Sequence, residues 1–260
     1  MHTGDKPSSS SGAVTSVLDT KGAYVHAQER LIVALDYPTK EAALGLVDRL
    51  DGQCRWFKVG LELYVAAGPA IVETLVQRGF SVFLDLKLHD IPNTVASAVK
   101  AASLLGARML TIHAAGGPVM LSAAREAVAG IANAPELLAV TVLTSMDQAQ
   151  VSAIGVSRTP AEQVTLLAQM GMAAGIRGFV CSPQEVAGLR QMTGPEGVLV
   201  IPGIRPDGAS VGDQQRIATP GQALKEGASY LVVGRPITQA TEPARAAEAI
   251  LAEMAGAISV

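Results

Sequence analysis

Eight short β-rich runs recur along the chain from residue 31 onward, each followed by an Ala- and Leu-rich stretch, and this rhythm restricts the fold to successive βα units. The runs are Leu31 to Asp36, Arg55 to Gly60, Val82 to Lys87, Met109 to His113, Leu137 to Leu143, Gly178 to Cys181, Val198 to Pro202 and Tyr230 to Gly234. Their near-continuous hydrophobicity suits parallel strands covered on both faces. Helix starts fall where the pattern needs them. Thr159-Pro-Ala-Glu162, Ser182-Pro-Gln-Glu185 and Thr219-Pro-Gly-Gln222 each combine a capping hydroxyl, a proline at the first helical position and Glu or Gln at the third. An α/β fold of the closed (β/α)8 TIM-barrel type is therefore expected, with an open doubly wound sheet as the structural alternative, because counting strands does not prove closure.

With 49% hydrophobic and 17% charged residues, the 260-residue chain can fill one large core, and residues 26–260 are read as a single barrel domain. Residues 1–25 are read as a flexible tail. The stretch up to about Gly22 is rich in Ser and Gly, and Asp5, Lys6 and Asp19 interrupt any apolar core of a secretory signal. The chain contains no continuous apolar run of about 18 residues, which argues against a membrane span and for a cytoplasmic protein. A net charge of -3 and only 3% aromatic residues leave neither a basic face nor stacking platforms for nucleic acid. The two cysteines, Cys54 and Cys181, lie far apart without metal-ligand spacing and read as reduced core residues.

Chemistry concentrates in Ser81 to Thr94, where Asp85 and Lys87 interrupt an otherwise apolar strand. Two residues apart, they share one strand face, while Leu84, Leu86 and Leu88 take the other and are free to pack under helices. Stability alone does not account for such a pair, since an apolar pair would fill a core as well or better. In a barrel the active site lies at the C-terminal ends of the strands. Asp36, Lys58, Asp85, Lys87, His113, Thr144, Ser145, Arg205 and Arg235 all fall at or just beyond such ends. Gly234 and Arg235 follow the last strand, where barrel enzymes commonly bind phosphate. The segment Gly203 to Ala218 is polar, glycine-containing and too long for an ordinary connection, so it reads as a lid. His2 and His26 lie in or near the tail. His89 and His113 read first as packed, hydrogen-bonded imidazoles, and neither has a partner at metal-ligand spacing.

The run Asp85-Leu-Lys87-Leu-His-Asp90-Ile-Pro-Asn-Thr94 resembles the Asp-x-Lys-x-x-Asp signature of the orotidine 5'-monophosphate decarboxylases, in their bacterial form. Leu31 to Asp36, Trp56-Phe-Lys58-Val-Gly60, Val140 to Met146, Ile201-Pro202-Gly-Ile-Arg205-Pro and Val232-Val-Gly234-Arg235-Pro are similar to that family's first, second, fifth, seventh and eighth strands, in the correct order. The resemblance implies conversion of orotidine 5'-monophosphate (OMP) to UMP and carbon dioxide, with no cofactor and no metal. Lys87 would protonate C6 of the pyrimidine, Asp85 would lie beside the departing carboxylate, and Lys58 and Asp90 would complete an alternating line of charge. It further implies that Asp36 meets the ribose hydroxyls, Thr144 and Ser145 face the base with Pro202 near it, and Arg205, Gln214, Gly234 and Arg235 serve the phosphate end. Asp90 and Thr94 would reach into a neighbouring subunit's site, making a homodimer.

The physical logic stands beside that likeness. Decarboxylation leaves an electron pair on carbon, and the sequence has no motif for thiamine, pyridoxal phosphate or a metal to absorb it, so a fixed ammonium must. Two other functions compete. One is a magnesium-dependent sugar-phosphate enzyme of the same broader barrel group, in which the second strand ends in an acidic ligand where this one ends in Lys58. The other is a silent nucleotide-binding protein on the same barrel.

Overall fold

A computed structural model describes residues 20–50, 52–206 and 216–258. Eight parallel strands close into a barrel in sequence order: β1 (Leu31–Ala34), β2 (Trp56–Gly60), β3 (Ser81–Leu88), β4 (Met109–His113), β5 (Glu136–Val140), β6 (Gly178–Val180), β7 (Val198–Ile201) and β8 (Tyr230–Val233). β8 pairs back onto β1 through Leu31 opposite Leu231, so the sheet has no free edge and the doubly wound alternative falls away. Helices follow each strand, among them Lys40–Arg49 after β1, Pro92–Ser103 after β3, Pro160–Ala173 after β5 and Pro243–Ile258 after β8.

Alternation along each strand divides the apolar side chains into two layers. Ile32, Ala34, Trp56, Phe83, Met109, Leu138, Val200 and Val232 fill the inside of the barrel. The opposite faces, with Leu31, Val33, Phe57, Leu84, Leu110 and Phe179 among them, pack beneath the helices. The proline-marked helix starts form as expected. Thr159 accepts the Glu162 N–H while Glu162 reaches back to the Thr159 N–H at 2.9 Å, and Thr219 accepts the Gln222 N–H at 3.2 Å. After Ser182 the chain first makes a 3-10 turn over Pro183–Glu185 and then the helix Val186–Thr193.

Several strands end earlier than their apolar runs. β1 stops at Ala34 and β5 at Val140, and the rest of each run, Asp36 in the first and Val142 and Leu143 in the second, passes into the loops of the barrel mouth and lines its cavity. A helix over Thr20–Gln28 precedes β1 and packs on Pro243–Ile258, with Ala23 and Ala27 fully buried. Tyr24 Oη donates to Gln53 Oε1 at 3.0 Å. Residues 20 to 25, read from the sequence as tail, thus belong to this helix.

At the opposite end from the mouth, Arg190 gathers backbone carbonyls of the loops entering β7 and β8. It donates to Gly194 and Gly197 from Nη1 at 2.7 and 2.8 Å, and to Gly227 from Nε and Nη2 at 2.9 and 2.7 Å. Gly227 has φ of 106°, and a Cβ there would lie 2.8 Å from Arg190 Cγ, so both backbone and close approach require glycine. Both cysteines are buried and free, and burial pushes the Cys54 thiol up to about 12. Among the described residues no helix is long and apolar enough to cross a membrane.

Candidate active site

The site begins with an irregularity between β3 and β4. Leu84 pairs with Leu110 and Leu88 with Ile112, so Asp85, Leu86 and Lys87 together oppose the single residue Thr111. Lys87 takes up the extra length by adopting φ of 50°, an uncommon conformation for a residue with a side chain. In a regular strand residues i and i+2 stand roughly 6.6 Å apart. Here the backbone folds their side chains together, and Lys87 Nζ donates to both Asp85 oxygens, at 2.9 and 2.8 Å. Thr111 Oγ1 donates to Asp85 Oδ1 at 3.0 Å and accepts the Lys87 backbone N–H at 2.8 Å.

β1 and β2 extend the line. Lys58 Nζ lies 2.8 Å from Asp36 Oδ1 and 3.8 Å from Asp85 Oδ2, giving the order Asp36, Lys58, Asp85, Lys87. The middle of the line is the most buried: the side chains of Lys58 and Asp85 are 11% and 12% exposed, against 32% for Lys87 and 55% for Asp36 at its ends. Opposite charges at each step offset the cost of withdrawing Lys58 and Asp85 from water. Gly60 makes room for this. A Cβ at Gly60 would lie 2.7 Å from Lys58 Nζ and 3.2 Å from Asp36 Oδ1, too close for the ammonium to stay.

Beside Lys87, His113 stacks on His89 with ring centroids 5.1 Å apart. Burial, then the neighbouring His89 and Lys87, holds the His113 imidazole below the usual histidine range. Its Nδ1 is buried with no hydrogen-bond partner among the described residues.

A cavity of about 520 Å³ opens over the array, within the usual size for a small-molecule site. Asp36, Lys58, Asp85, Lys87, Thr144, Pro202, Arg205, Gly234 and Arg235 line it, as do the apolar side chains of Phe83, Val140, Val180 and Val232. The barrel therefore brings most of the sequence-derived candidates into one volume with a charged end and an apolar floor. Others stay apart. Ser145 is exposed and outside the lining, as are Asp90 and Thr94, and Asp90 Oδ1 accepts the adjacent Ile91 N–H at 2.6 Å. Gln214 lies outside the described residues. On either side of that segment the chain is anchored: the Arg205 N–H donates to the Ala218 carbonyl at 3.0 Å, and Arg216 pairs with buried Glu185 and donates to the Leu143 carbonyl at 3.1 Å.

Sequence reasoning missed Thr111, Gly60 and Gln239, the last of which lines the cavity. Thr111 had a signal, as a hydroxyl midway through a short apolar strand. Gly60 and Gln239 had none, since their significance depends on neighbours from other strands. Among the described residues no group of three His, Cys, Asp or Glu side chains is placed to hold a metal ion.

Comparison with known proteins agrees over nearly the whole described chain. Residues 29–250 match the family model described as orotidine 5'-phosphate decarboxylase / HUMPS family. The chain is 56% identical to the orotidine 5'-phosphate decarboxylase of Nitrosococcus oceani over 228 residues, covering 87% of this chain and 98% of that one. It is 52% identical to the corresponding protein of Moorella thermoacetica, covering 88% and 94%. The crystal structure of orotidine 5'-phosphate decarboxylase from Lactobacillus acidophilus superposes with a TM-score of 0.76 at 40% identity, covering 86% of this chain and 98% of that chain. From the matched residues, the shared barrel and these identities, the chain belongs to the orotidine 5'-phosphate decarboxylase / HUMPS family.

Proposed function

We propose that the protein decarboxylates OMP to UMP without a cofactor, using Lys87 both to stabilise and to protonate the carbon that loses carbon dioxide. The observation that carries this reading is the line of Asp36, Lys58, Asp85 and Lys87 across a cavity at the barrel mouth. When the bond between C6 and the carboxylate breaks, its electron pair stays on C6 and carbon dioxide departs. The Lys87 ammonium faces that charge and then donates a proton to it, forming the C–H bond of UMP. Asp85, bound by Lys87 and Thr111 and flanked by Lys58, fixes the direction in which the ammonium points.

The far end of the cavity suits the rest of the nucleotide. In this reading Asp36 takes the ribose hydroxyls, Thr144 and Pro202 serve the base together with Ser145 from beyond the cavity lining, and Gly234, Arg235, Arg205 and Gln214 serve the phosphate. Binding energy from the phosphate, remote from C6, then holds the pyrimidine against the array and raises turnover as well as affinity. Asp90 and Thr94 act in the site of a second copy in a homodimer. Their exposure supports this, and so does the exposed apolar surface of Ile91, Leu61 and Val65 on the adjoining units.

The test is the loss of absorbance as OMP becomes UMP, measured on purified protein with no added metal. Turnover that EDTA abolishes and magnesium restores would instead favour the metal-dependent sugar-phosphate chemistry. Lys87→Ala is expected to lower turnover by several orders of magnitude while leaving the thermal unfolding transition in place. Turnover close to wild type in that variant removes Lys87 from its role.

A further inference from the structure

We propose that Thr111 is a positioning residue of the decarboxylation, holding the reactive ammonium and its carboxylate in register through one hydroxyl. The proposal rests on the role given above to Lys87. Thr111 is fully buried and outside the cavity lining, so it acts through its neighbours and not on the substrate.

The geometry assigns the hydroxyl two partners of opposite kind. Because Asp85, Leu86 and Lys87 all oppose Thr111, the Lys87 N–H takes the threonine oxygen, at 2.8 Å, as its acceptor. That contact occupies a lone pair of Oγ1 and turns the hydroxyl proton toward Asp85 Oδ1, 3.0 Å away. The backbone of Lys87 and the side chain that orients its ammonium are thereby tied to the same atom. Lys87 needs such a tie. Its φ of 50° is disfavoured for a residue with a Cβ, and persists only where surrounding contacts over-determine it. Asp85 Oδ1 is shared between the Lys87 ammonium at 2.9 Å and the Thr111 hydroxyl, so without the hydroxyl this oxygen is held by the ammonium alone, while Lys58 reaches only Oδ2.

A valine at 111 keeps the shape and removes both bonds, whereas a serine keeps both and loses a methyl group. The measurements are kcat and KM for OMP, UMP affinity, and the rate at which the C6 hydrogen of UMP exchanges with deuterated water, which follows the same carbanion without net turnover. Thr111→Val is expected to lower kcat and C6 exchange together by about 10- to 100-fold, the scale of a small displacement of a reacting group. KM and UMP affinity should stay within about threefold, because the phosphate and ribose contacts are untouched. Thr111→Ser should recover most of the lost kcat. If Thr111→Val fails to fold, Thr111→Ala is read by the same comparison.

Wild-type kcat in Thr111→Val or Thr111→Ala overturns the proposal. So does a loss of kcat that Thr111→Ser shares in full, since that would assign the effect to packing of the methyl group. Failure of the underlying reading looks different: wild-type protein that does not decarboxylate OMP, or a Lys87→Ala variant that does so at full rate.

Discussion

The four charges of the array are arranged so that no single side chain sets the site, and the atoms that leave space matter as much as those that react. Gly60 is the clearest case, since a methyl group there would meet the Lys58 ammonium. Gly60→Ala is expected to cut kcat by more than about tenfold with little loss of stability, because it displaces a charge without disturbing the layers of the core. An unchanged kcat would show that Lys58 tolerates another position. His113 makes a separate prediction about stability. Its proton affinity is depressed in the fold, so the unfolded chain binds a proton at higher pH, near the ordinary 6.5, than the folded chain does. The stabilising contribution is complete above that value and declines as the pH falls below it. Melting temperatures recorded between about pH 5 and 8 should therefore fall on the acid side, and less steeply in His113→Asn. Equal slopes for the two proteins would count against this account.

At the scale of elements, the sequence disclosed strands and helix starts because each is written locally. Apolar runs of four or five residues, proline at the first helical turn and Thr159 with Glu162 need no knowledge of distant residues. The β3 irregularity was hidden for the opposite reason. Val82 to Lys87 reads as a regular strand, and only pairing with β4 shows that three of its residues face one. The helix Thr20–Gln28 was likewise obscure, because it is held by packing on Pro243–Ile258, more than 200 positions along the chain. The floor of the barrel offers a stability test of the same kind. Arg190 satisfies carbonyls of Gly194, Gly197 and Gly227, and Arg190→Ala strands them. A loss of about 2–4 kcal/mol in unfolding free energy is expected, with turnover at low temperature preserved. Denaturant melts with superimposable midpoints would show that water replaces the guanidinium at little cost.

For the whole molecule, the strand ends told which residues gather at the mouth, whereas the assignment of Asp90 and Thr94 to a second copy came only from the family resemblance. Asp36, Lys58, Asp85 and Lys87 meet within one chain, whereas Asp90 and Thr94 are exposed and do not line its cavity. The shared-site reading has a sharp consequence for mixtures. Lys87→Ala and Asp90→Ala should each be nearly inactive alone, yet after exchange of subunits about a quarter of the wild-type sites should reappear, since each mixed dimer contains one site with neither defect. Failure of the mixture to recover activity, with exchange demonstrated by differently tagged subunits, would mean that Asp90 serves its own chain.

The crowding of three β3 residues against Thr111 also bears on whether this chemistry can be transplanted. A protein engineer who copied only the four charged side chains onto another eight-stranded scaffold would recover their identities but leave the aspartate and the amine splayed along a straight ribbon. What must travel with them is the surplus length of backbone, the left-handed lysine and the threonine that receives it.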